Sequence, residues 1–348
     1  MNSTIGIDQI CILRLSAIGD CCHVVSLVQH IQRHLPQAQI TWVIGKTEAQ
    51  LLSAILPNVE FIIFDKSQGW RSYTALRSAM KGRRFDVLLH MQANMRANLV
   101  SLTIPAKQKI GFAKERAREL QWLFTHKKAP LGEGIHVAEG FMDFAPAIGL
   151  PPAKPQWRVT APQKEAQWAK AQQDDRPLFL ICPAGSKPAK NWTPEGYAAA
   201  AECAHNNGMK VALVGGPTPI EQELAEQILQ RAPFIDANYV GTTTLPQLLA
   251  LIEVASLLLA PDTGPAHMAT LVGTPVIGLY ATHNPQRTGP YHDMDKVVSV
   301  YEQLLFEETG KRPEEVSWRT RIKNSQAAHM LPVKSVINQI LDIALKTL

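Results

Sequence analysis

Short apolar runs alternate with amphipathic stretches along the whole chain. An apolar run of four to six residues, bounded by polar or turn-forming residues, is typical of a buried strand. In the first half we predict such strands at residues 10–15, 40–44, 61–64 and 87–90, with a short one at 109–112. Apolar residues at helical spacing predict helices between and after them, at 22–34, 47–56, 73–81 and 136–148. The alternation predicts an α/β fold in which crossover helices join parallel strands.

A proline-rich stretch, GLPPAKP at residues 149–155, interrupts this pattern and predicts a linker. The alternation then restarts, with strands at 178–182, 210–214, 257–260 and 276–280. Helices are predicted at 194–205, 220–229, 245–255 and 333–348. We therefore predict two open α/β domains, residues 1–155 and 156–332, and we expect the final helix to pack back on the first domain.

Composition limits the class of protein. The 348 residues are 46% hydrophobic and 19% charged, which suits a globular chain with a large core. No apolar run approaches the roughly 20 residues that span a bilayer, and the N-terminus lacks a signal-peptide pattern, so we expect a cytoplasmic location. The five cysteines form no CxxC pair, and we predict neither a zinc site nor a disulfide framework.

The positive charge is concentrated in one segment. Residues 1–150 hold 17 Lys/Arg against 11 Asp/Glu, and residues 66–128 alone hold 14 against three. Such a segment is either a solvated face or the binding surface for an anionic partner. Nucleic acid is not favoured, because no helix-turn-helix, RNA-recognition or zinc-finger pattern is present.

The first predicted strand ends in the turn SAIGD, which carries Asp20. Only one glycine is present there, so the turn lacks the GxGxxG pattern of dinucleotide-binding proteins. Asp20 is either the N-cap of the next helix or a carboxylate at the carboxyl end of the strand, where it could serve as a general base.

Three turns in the second half also follow predicted strands. They are GSKPAKNW with Lys190, GGP with Glu221 and Glu223 shortly after it, and DTG at Asp262, Thr263 and Gly264 with His267 one turn later. Glycines, lysines and a helix N-terminus suit phosphate oxygens, and a carboxylate near such a turn can bind ribose hydroxyls. Because ligands of open α/β sheets bind at the carboxyl ends of the strands, the three turns predict a nucleotide diphosphate site.

LRLSAIGD, GSKPAKNW, LAPDTGPAHMATLVGTPVIGLY and NPQRTGPY together resemble the ADP-heptose:lipopolysaccharide heptosyltransferases of glycosyltransferase family 9, and RTGPY is most like heptosyltransferase I. The resemblance covers almost the whole chain, although His283 and Asn284 depart from the family's pattern. It implies the GT-B fold, in which two Rossmann-like α/β/α domains face each other across a cleft. The N-terminal domain would bind the acceptor and the C-terminal domain the nucleotide-sugar donor.

The resemblance also implies roles for individual residues. Asp20 matches the catalytic base, and six residues match the donor site: Lys190, Glu221, Asp262, Thr263, Gly264 and His267. Glu223 fits the position of the nucleoside-binding acid almost as well as Glu221. The basic segment would bind the anionic lipopolysaccharide core, and we predict that Arg118, Arg116 and Lys114 contact the acceptor.

The expected activity is an inverting transfer of heptose from ADP-L-glycero-D-manno-heptose to Kdo on lipid A, with no metal and no cofactor. Peripheral contact with the cytoplasmic face of the inner membrane would follow from such an acceptor. Transfer to an existing heptose is the close alternative. A different nucleotide-sugar transferase or epimerase, and a non-enzymatic nucleotide-sugar-binding protein, are the other hypotheses.

Overall fold

The structure is a computed structural model that describes residues 6–185 and 187–347. It divides into two compact units, Met1–Arg158 and Val159–Leu348, close to the predicted boundary in the proline-rich stretch. Ser186 of the GSKPAKNW turn and Leu348 of the predicted last helix lie outside the described residues. None of the helices found there is both long and apolar enough to cross a bilayer.

The first unit contains a parallel six-stranded sheet in the order β3-β2-β1-β4-β5-β6. Its central strands are buried along almost their whole length, as apolar runs predict for a sheet covered on both faces. The strands are β1 Gln9–Leu13, β2 Gln39–Gly45, β3 Val59–Phe64, β4 Phe85–His90, β5 Ala106–Gly111 and β6 Lys127–Lys128.

Six helices accompany this sheet in the described residues. They are α1 Ile18–His34, α2 Lys46–Ile55, α3 Arg71–Ala79, α4 Met95–Ser101, α5 Val137–Met142 and α6 Phe144–Ala147. We predicted α5 and α6 as one helix. They are separate because Pro146 has no N–H to continue the ladder of α5.

The second unit contains another parallel six-stranded sheet, in the order β12-β11-β10-β7-β8-β9. Apolar residues fill its three central strands, which are fully buried. The strands are β7 Leu178–Ile181, β8 Lys210–Leu213, β9 Ala237–Asn238, β10 Leu257–Pro261, β11 Val276–Tyr280 and β12 Val298–Ser299.

Eight described helices belong to the second unit. They are α7 Gln163–Lys170, α8 Pro194–Asn206, α9 Pro219–Arg231, α10 Leu245–Val254, α11 Gly264–Val272, α12 Pro285–Thr288, α13 Tyr301–Thr309 and α14 Val333–Thr347. The predicted start of α8 is confirmed, since the Thr193 side chain accepts a hydrogen bond from Gly196 N–H and Pro194 is the first helical residue.

The final helix belongs to the second unit, and its packing on the first unit stays a prediction. Val336, Ile340 and Ala344 lie on one face of α14 and are buried in the core of the second unit, where the helix lies against α8. The apolar residues of α14 at helical spacing therefore complete the second core.

Candidate active site

Asp20 lies in the first turn of α1, directly after β1. The helix begins at Ile18 with Ala17 as its N-cap, so the prediction that it begins at Cys21 or Cys22 and that Asp20 might be its N-cap is wrong. An acidic side chain in the first turn interacts favourably with the helix dipole, which allows Asp20 to be inside the helix. Its carboxylate forms an ion pair with Arg14 and stays 33% exposed.

Arg14 is fixed by three neighbours. Besides Asp20, its guanidinium donates to the carbonyl of Met91 at 2.8 Å and lies 5.3 Å from the ring centre of Phe141. Gln92 holds the turn that joins β1 to α1, because its Oε1 accepts a hydrogen bond from Leu15 N–H at 2.6 Å. One oxygen of Asp20 is thus oriented by a rigid cation, and the carboxylate remains accessible to a hydroxyl group.

In the second unit the structure brings Lys190 and Asp262 together. Lys190 Nζ donates to the carboxylate Oδ2 of Asp262 at 2.7 Å and to its backbone carbonyl at 2.8 Å. Both side chains are largely buried, at 17% and 12% exposure. A lysine has three N–H donors, so two serve Asp262 and a third remains for a ligand oxygen.

Two histidines complete a cluster around Asp262. His267 Nε2 lies 3.5 Å from Oδ1, and His283 Nδ1 lies 3.6 Å from Oδ2. Burial by itself would raise the pKa of Asp262, but the hydrogen bond from His267 and the charge of Lys190 outweigh burial and hold the pKa below its usual range. Burial, assisted by the Lys190 charge, lowers the pKa of His283 to about 4, so this imidazole is neutral at pH 7.

In the described residues, the helix that follows Asp262 begins without a capping hydrogen bond from its N-cap side chain. Thr263 is the N-cap of α11 in position but makes no capping hydrogen bond, and Gly264 is the first helical residue. Uncapped N–H groups together with the helix dipole form a site for an anion. Gly185 of the neighbouring turn is needed here, because a β-carbon at this position would collide with the Thr263 methyl group.

Glu221 holds the glycine turn after β8. Its Oε1 accepts from Gly216 N–H at 2.8 Å and its Oε2 accepts from the Thr218 hydroxyl at 2.6 Å. Glu223 is exposed and contacts only the side chain of Gln227, at 3.4 Å, among its described hydrogen bonds. Burial raises the pKa of the Cys182 thiol to about 12, and the negative charge of Glu221 is the second cause of this increase.

Lys114 and Arg118 follow the carboxyl end of β5 and are exposed. They line a surface cavity of about 450 Å³ together with Glu119, Leu120, Trp122 and Lys128. These cations are available for an anionic ligand.

Arg116, which we grouped with Lys114 and Arg118, lies elsewhere. Its guanidinium donates to the carbonyl of Gly134, approaches Asp143 at 3.9 Å and fills the space beside Gly140 where a side chain would stand. Arg116 is only 8% exposed. It stabilises this loop from within, and its contact with the acceptor stays a prediction.

The sequence did not reveal three residues that organise these turns. Arg14 and Gln92 hold the Asp20 turn, and Asn191 Oδ1 accepts from Gly185 N–H at 2.9 Å in the Lys190 turn. Two of the three lie in motifs that the sequence analysis singles out, Arg14 in LRLSAIGD and Asn191 in GSKPAKNW. His283 attracted notice as a departure from the family pattern, and it now joins the Asp262 cluster.

Proteins of known structure share this fold. A solved glycosyltransferase family 9 structure from Veillonella parvula matches 99% of this chain and 100% of its own, with a TM-score of 0.82 at 20% identity. Escherichia coli heptosyltransferase WaaC, solved with ADP, matches 84% of this chain and 92% of its own, with a TM-score of 0.69 at 20% identity. These likenesses confirm the predicted GT-B fold class.

Sequence comparison identifies the family. The model for glycosyltransferase family 9 (heptosyltransferase) matches residues 73–315. The lipopolysaccharide core heptosyltransferase OpsX of Haemophilus influenzae is 45% identical over 97% of both chains. The chain belongs to glycosyltransferase family 9, and the prediction that it is a glycosyltransferase enzyme is confirmed.

Proposed function

We propose that this protein transfers heptose from ADP-L-glycero-D-manno-heptose to a Kdo sugar of the lipopolysaccharide inner core, with inversion at the anomeric carbon. The cluster of Lys190, Asp262 and His267 beside the uncapped start of α11 is the observation that carries the proposal. The likeness to OpsX, a lipopolysaccharide core heptosyltransferase, supports the heptosyl donor and the lipopolysaccharide core. The likeness to WaaC, which was solved with ADP, supports ADP as the nucleotide.

The donor diphosphate would bind where Lys190 and the first N–H groups of α11 converge. Asp262 holds the ammonium group of Lys190 in place through two hydrogen bonds, leaving its third N–H for a phosphate oxygen. Negative charge grows on the diphosphate as the bond to the sugar breaks, and preorganised donors stabilise that charge. No metal ion or other cofactor is part of the proposed mechanism, since a lysine and a helix N-terminus supply the positive field.

Asp20 would act as the general base. Its carboxylate takes the proton of the acceptor hydroxyl, the hydroxyl oxygen bonds to the anomeric carbon, and the bond from that carbon to the diphosphate breaks to release ADP. A single displacement of this kind inverts the anomeric centre. Arg14 orients the carboxylate through one oxygen, and the 33% exposure of Asp20 leaves access for the hydroxyl.

Lys114 and Arg118 would bind the carboxylates or phosphates of the acceptor. Glu221 is the residue we propose beside the ribose hydroxyls, because it already shapes the turn at Gly216, whereas Glu223 is exposed on the outside of α9. With Kdo carried on lipid A, the protein would work in the cytoplasm and make peripheral contact with the membrane surface.

The test is transfer by the purified full-length protein, with Kdo₂-lipid A as acceptor and product mass as readout. ADP-heptose should add one heptose, and heptosyl-Kdo₂-lipid A should accept none. UDP-hexoses should neither give product nor raise the melting temperature, whereas ADP should raise it. If only the heptosylated acceptor gave product, the acceptor sugar would be heptose and not Kdo. If UDP-hexoses raised the melting temperature and ADP did not, the donor assignment would be overturned.

A further inference from the structure

Large apolar side chains are exposed mainly on the first unit. Of the thirteen such side chains exposed in the described residues, ten belong to this unit. Six of the ten lie within a stretch of fewer than thirty residues, and the sequence between them contains several cations. The six are Met95, Leu99, Leu102, Leu120, Trp122 and Leu123.

Helix α4 and its C-cap residue carry half of this set. Met95, Leu99 and Leu102 follow one another at spacings of four and three residues, which places them on one face, and all three are exposed. The opposite side carries Ala97, Val100 and Ser101, which are fully buried, and the buried Asn98 lies between the two sides. A helix that buries its smaller side chains and exposes its largest apolar ones presents a face that favours an apolar partner.

Hydrogen bonds from α4 to Glu119 hold the segment of residues 119–123 beside this helix. Glu119 accepts from Met95 N–H through its carboxylate and from the Asn98 side chain through its carbonyl, at 2.7 Å for the second bond. Glu119 and Leu120 both have left-handed backbone angles, with φ of 47° and 60°, a conformation that disfavours residues other than glycine. The surrounding contacts hold this turn, and Leu120, Trp122 and Leu123 are exposed on it.

Cations share this surface. Lys114, Arg118 and Lys128 line the same cavity as Leu120 and Trp122, and Arg96 is exposed on α4 between Met95 and Leu99. Glu119 is the sole acid among the residues that line the cavity. The interface of an anionic bilayer binds this combination of aliphatic side chains, an exposed tryptophan and several lysines and arginines.

We propose that the face formed by Met95, Leu99, Leu102, Leu120, Trp122 and Leu123, here named the α4 face, docks on an anionic lipid bilayer. The apolar side chains would enter the headgroup region, and Arg96 and Lys128 would bind lipid phosphates. This names the surface for the peripheral membrane contact that is part of the proposed function, and it rests on the proposed function only for the presence of a membrane. It requires no sugar nucleotide and no lipopolysaccharide.

The experiment is sedimentation of the full-length protein with vesicles of phosphatidylglycerol and phosphatidylethanolamine, compared with vesicles of phosphatidylcholine. We expect the protein to bind the anionic vesicles at least about tenfold more strongly, and we expect 0.5 M salt to weaken this binding because salt screens the lipid charge. Because neither substrate is present, failure here would leave the transfer reaction untouched, and failed transfer would leave this result standing.

Two matched pairs of variants locate the surface. Leu102→Ser with Trp122→Ser removes apolar area from the α4 face and should weaken vesicle binding about tenfold. Phe306→Ser with Met330→Ser removes side chains of similar exposure from the second unit and should leave vesicle binding unchanged. Arg96→Glu with Lys128→Glu should weaken binding about tenfold or more, whereas Lys164→Glu with Lys311→Glu, also exposed, should weaken it less than threefold.

All four variants change exposed side chains, and an unaltered melting temperature will show that each is folded. Equal binding to anionic and neutral vesicles, or wild-type binding by the Leu102→Ser/Trp122→Ser variant, would overturn the proposal. It would also be overturned if the protein were a dimer that only this variant dissociates, because the α4 face would then bind a second copy of the chain.

Discussion

Asp20 and Asp262 each follow a central strand of a parallel sheet, one in each unit, yet their surroundings differ. Each carboxylate follows the central part of a parallel sheet and stands at or just before the first turn of a helix. Among the described residues Asp20 has one cationic partner, Arg14, and its side chain is 33% exposed. Asp262 is 12% exposed and is surrounded by Lys190, His267 and His283.

The difference in surroundings suits the two carboxylates to different tasks. A carboxylate that is surrounded by cationic and imidazole groups is a poor proton acceptor, but it can hold a lysine in a fixed place. A carboxylate with one ordered partner and an open side can take a proton from a substrate. We therefore assign chemistry to Asp20 and organisation of the donor site to Asp262.

The largest effect on stability should come from Asp262→Ala. Removing this carboxylate leaves the Lys190 ammonium largely buried without its anion, and we expect the free energy of unfolding to fall by about 3 kcal/mol. Denaturation in urea at pH 7 measures the free energy of unfolding of the variant and of wild type.

Asp174→Ala is the matched control. Asp174 also contacts two cations, Arg176 and Lys210, but it is exposed, so its removal should cost less than about 1 kcal/mol. Equal losses for the two variants would remove the distinction between an organising and a surface carboxylate.

The pH dependence of stability should reflect His283. Its folded pKa of about 4 lies below the value of about 6.5 in an unfolded chain, so the unfolded state binds the proton first as the pH falls. His283 therefore contributes stability that is complete above pH 6.5 and is lost as the pH falls towards 4. The expected size is on the order of 1–3 kcal/mol.

Melting temperatures of wild type and His283→Gln between pH 7 and pH 4 measure this contribution. The variant should lose less stability over that interval than wild type. Buried His90, whose pKa burial also lowers to about 4, is present in both proteins, so its contribution cancels in the difference. Parallel curves for the two proteins would show that the imidazole beside Asp262 does not titrate as described.

A smaller effect should distinguish Glu221 from Glu223. Glu221→Ala removes the acceptor of the Gly216 and Thr218 hydrogen bonds, and we expect the KM for ADP-heptose to rise about fivefold, equivalent to about 1 kcal/mol. Glu223→Ala should change it less than twofold. The reverse order would move the nucleoside contact to Glu223.

The sequence predicted the strands and helices whose apolar residues are buried. Strands such as Val276–Tyr280 and helices such as α8 are apolar or amphipathic in the ordinary sense, and their predicted bounds agree with the structure within a few residues. Helix α4 escaped prediction because its largest apolar residues, Met95, Leu99 and Leu102, face outward, and the apolar residues that it buries are the smaller Ala97 and Val100. Prediction of a helix from hydrophobic periodicity assumes that its large apolar residues are buried in the core.

Contacts between distant residues were beyond the sequence. Arg116 and Arg118 stand two positions apart in one basic segment, and only the fold shows that the first is buried against Gly134 and the second lines a surface cavity. Motifs identified Lys190 and Asp262 separately, but not that one holds the other. The roles assigned to these residues in donor and acceptor binding remain predictions.

The division of labour between the two carboxylates is tested most directly by Asp20→Asn, with turnover and ADP affinity measured on the same preparation. The variant keeps the size of the side chain and removes the base. We predict that kcat falls by about 10²–10⁴ while the Kd for ADP, measured by calorimetry, stays within about twofold of wild type. A kcat within about threefold of wild type, less than about 1 kcal/mol of barrier, would contradict the assignment of Asp20 as the base.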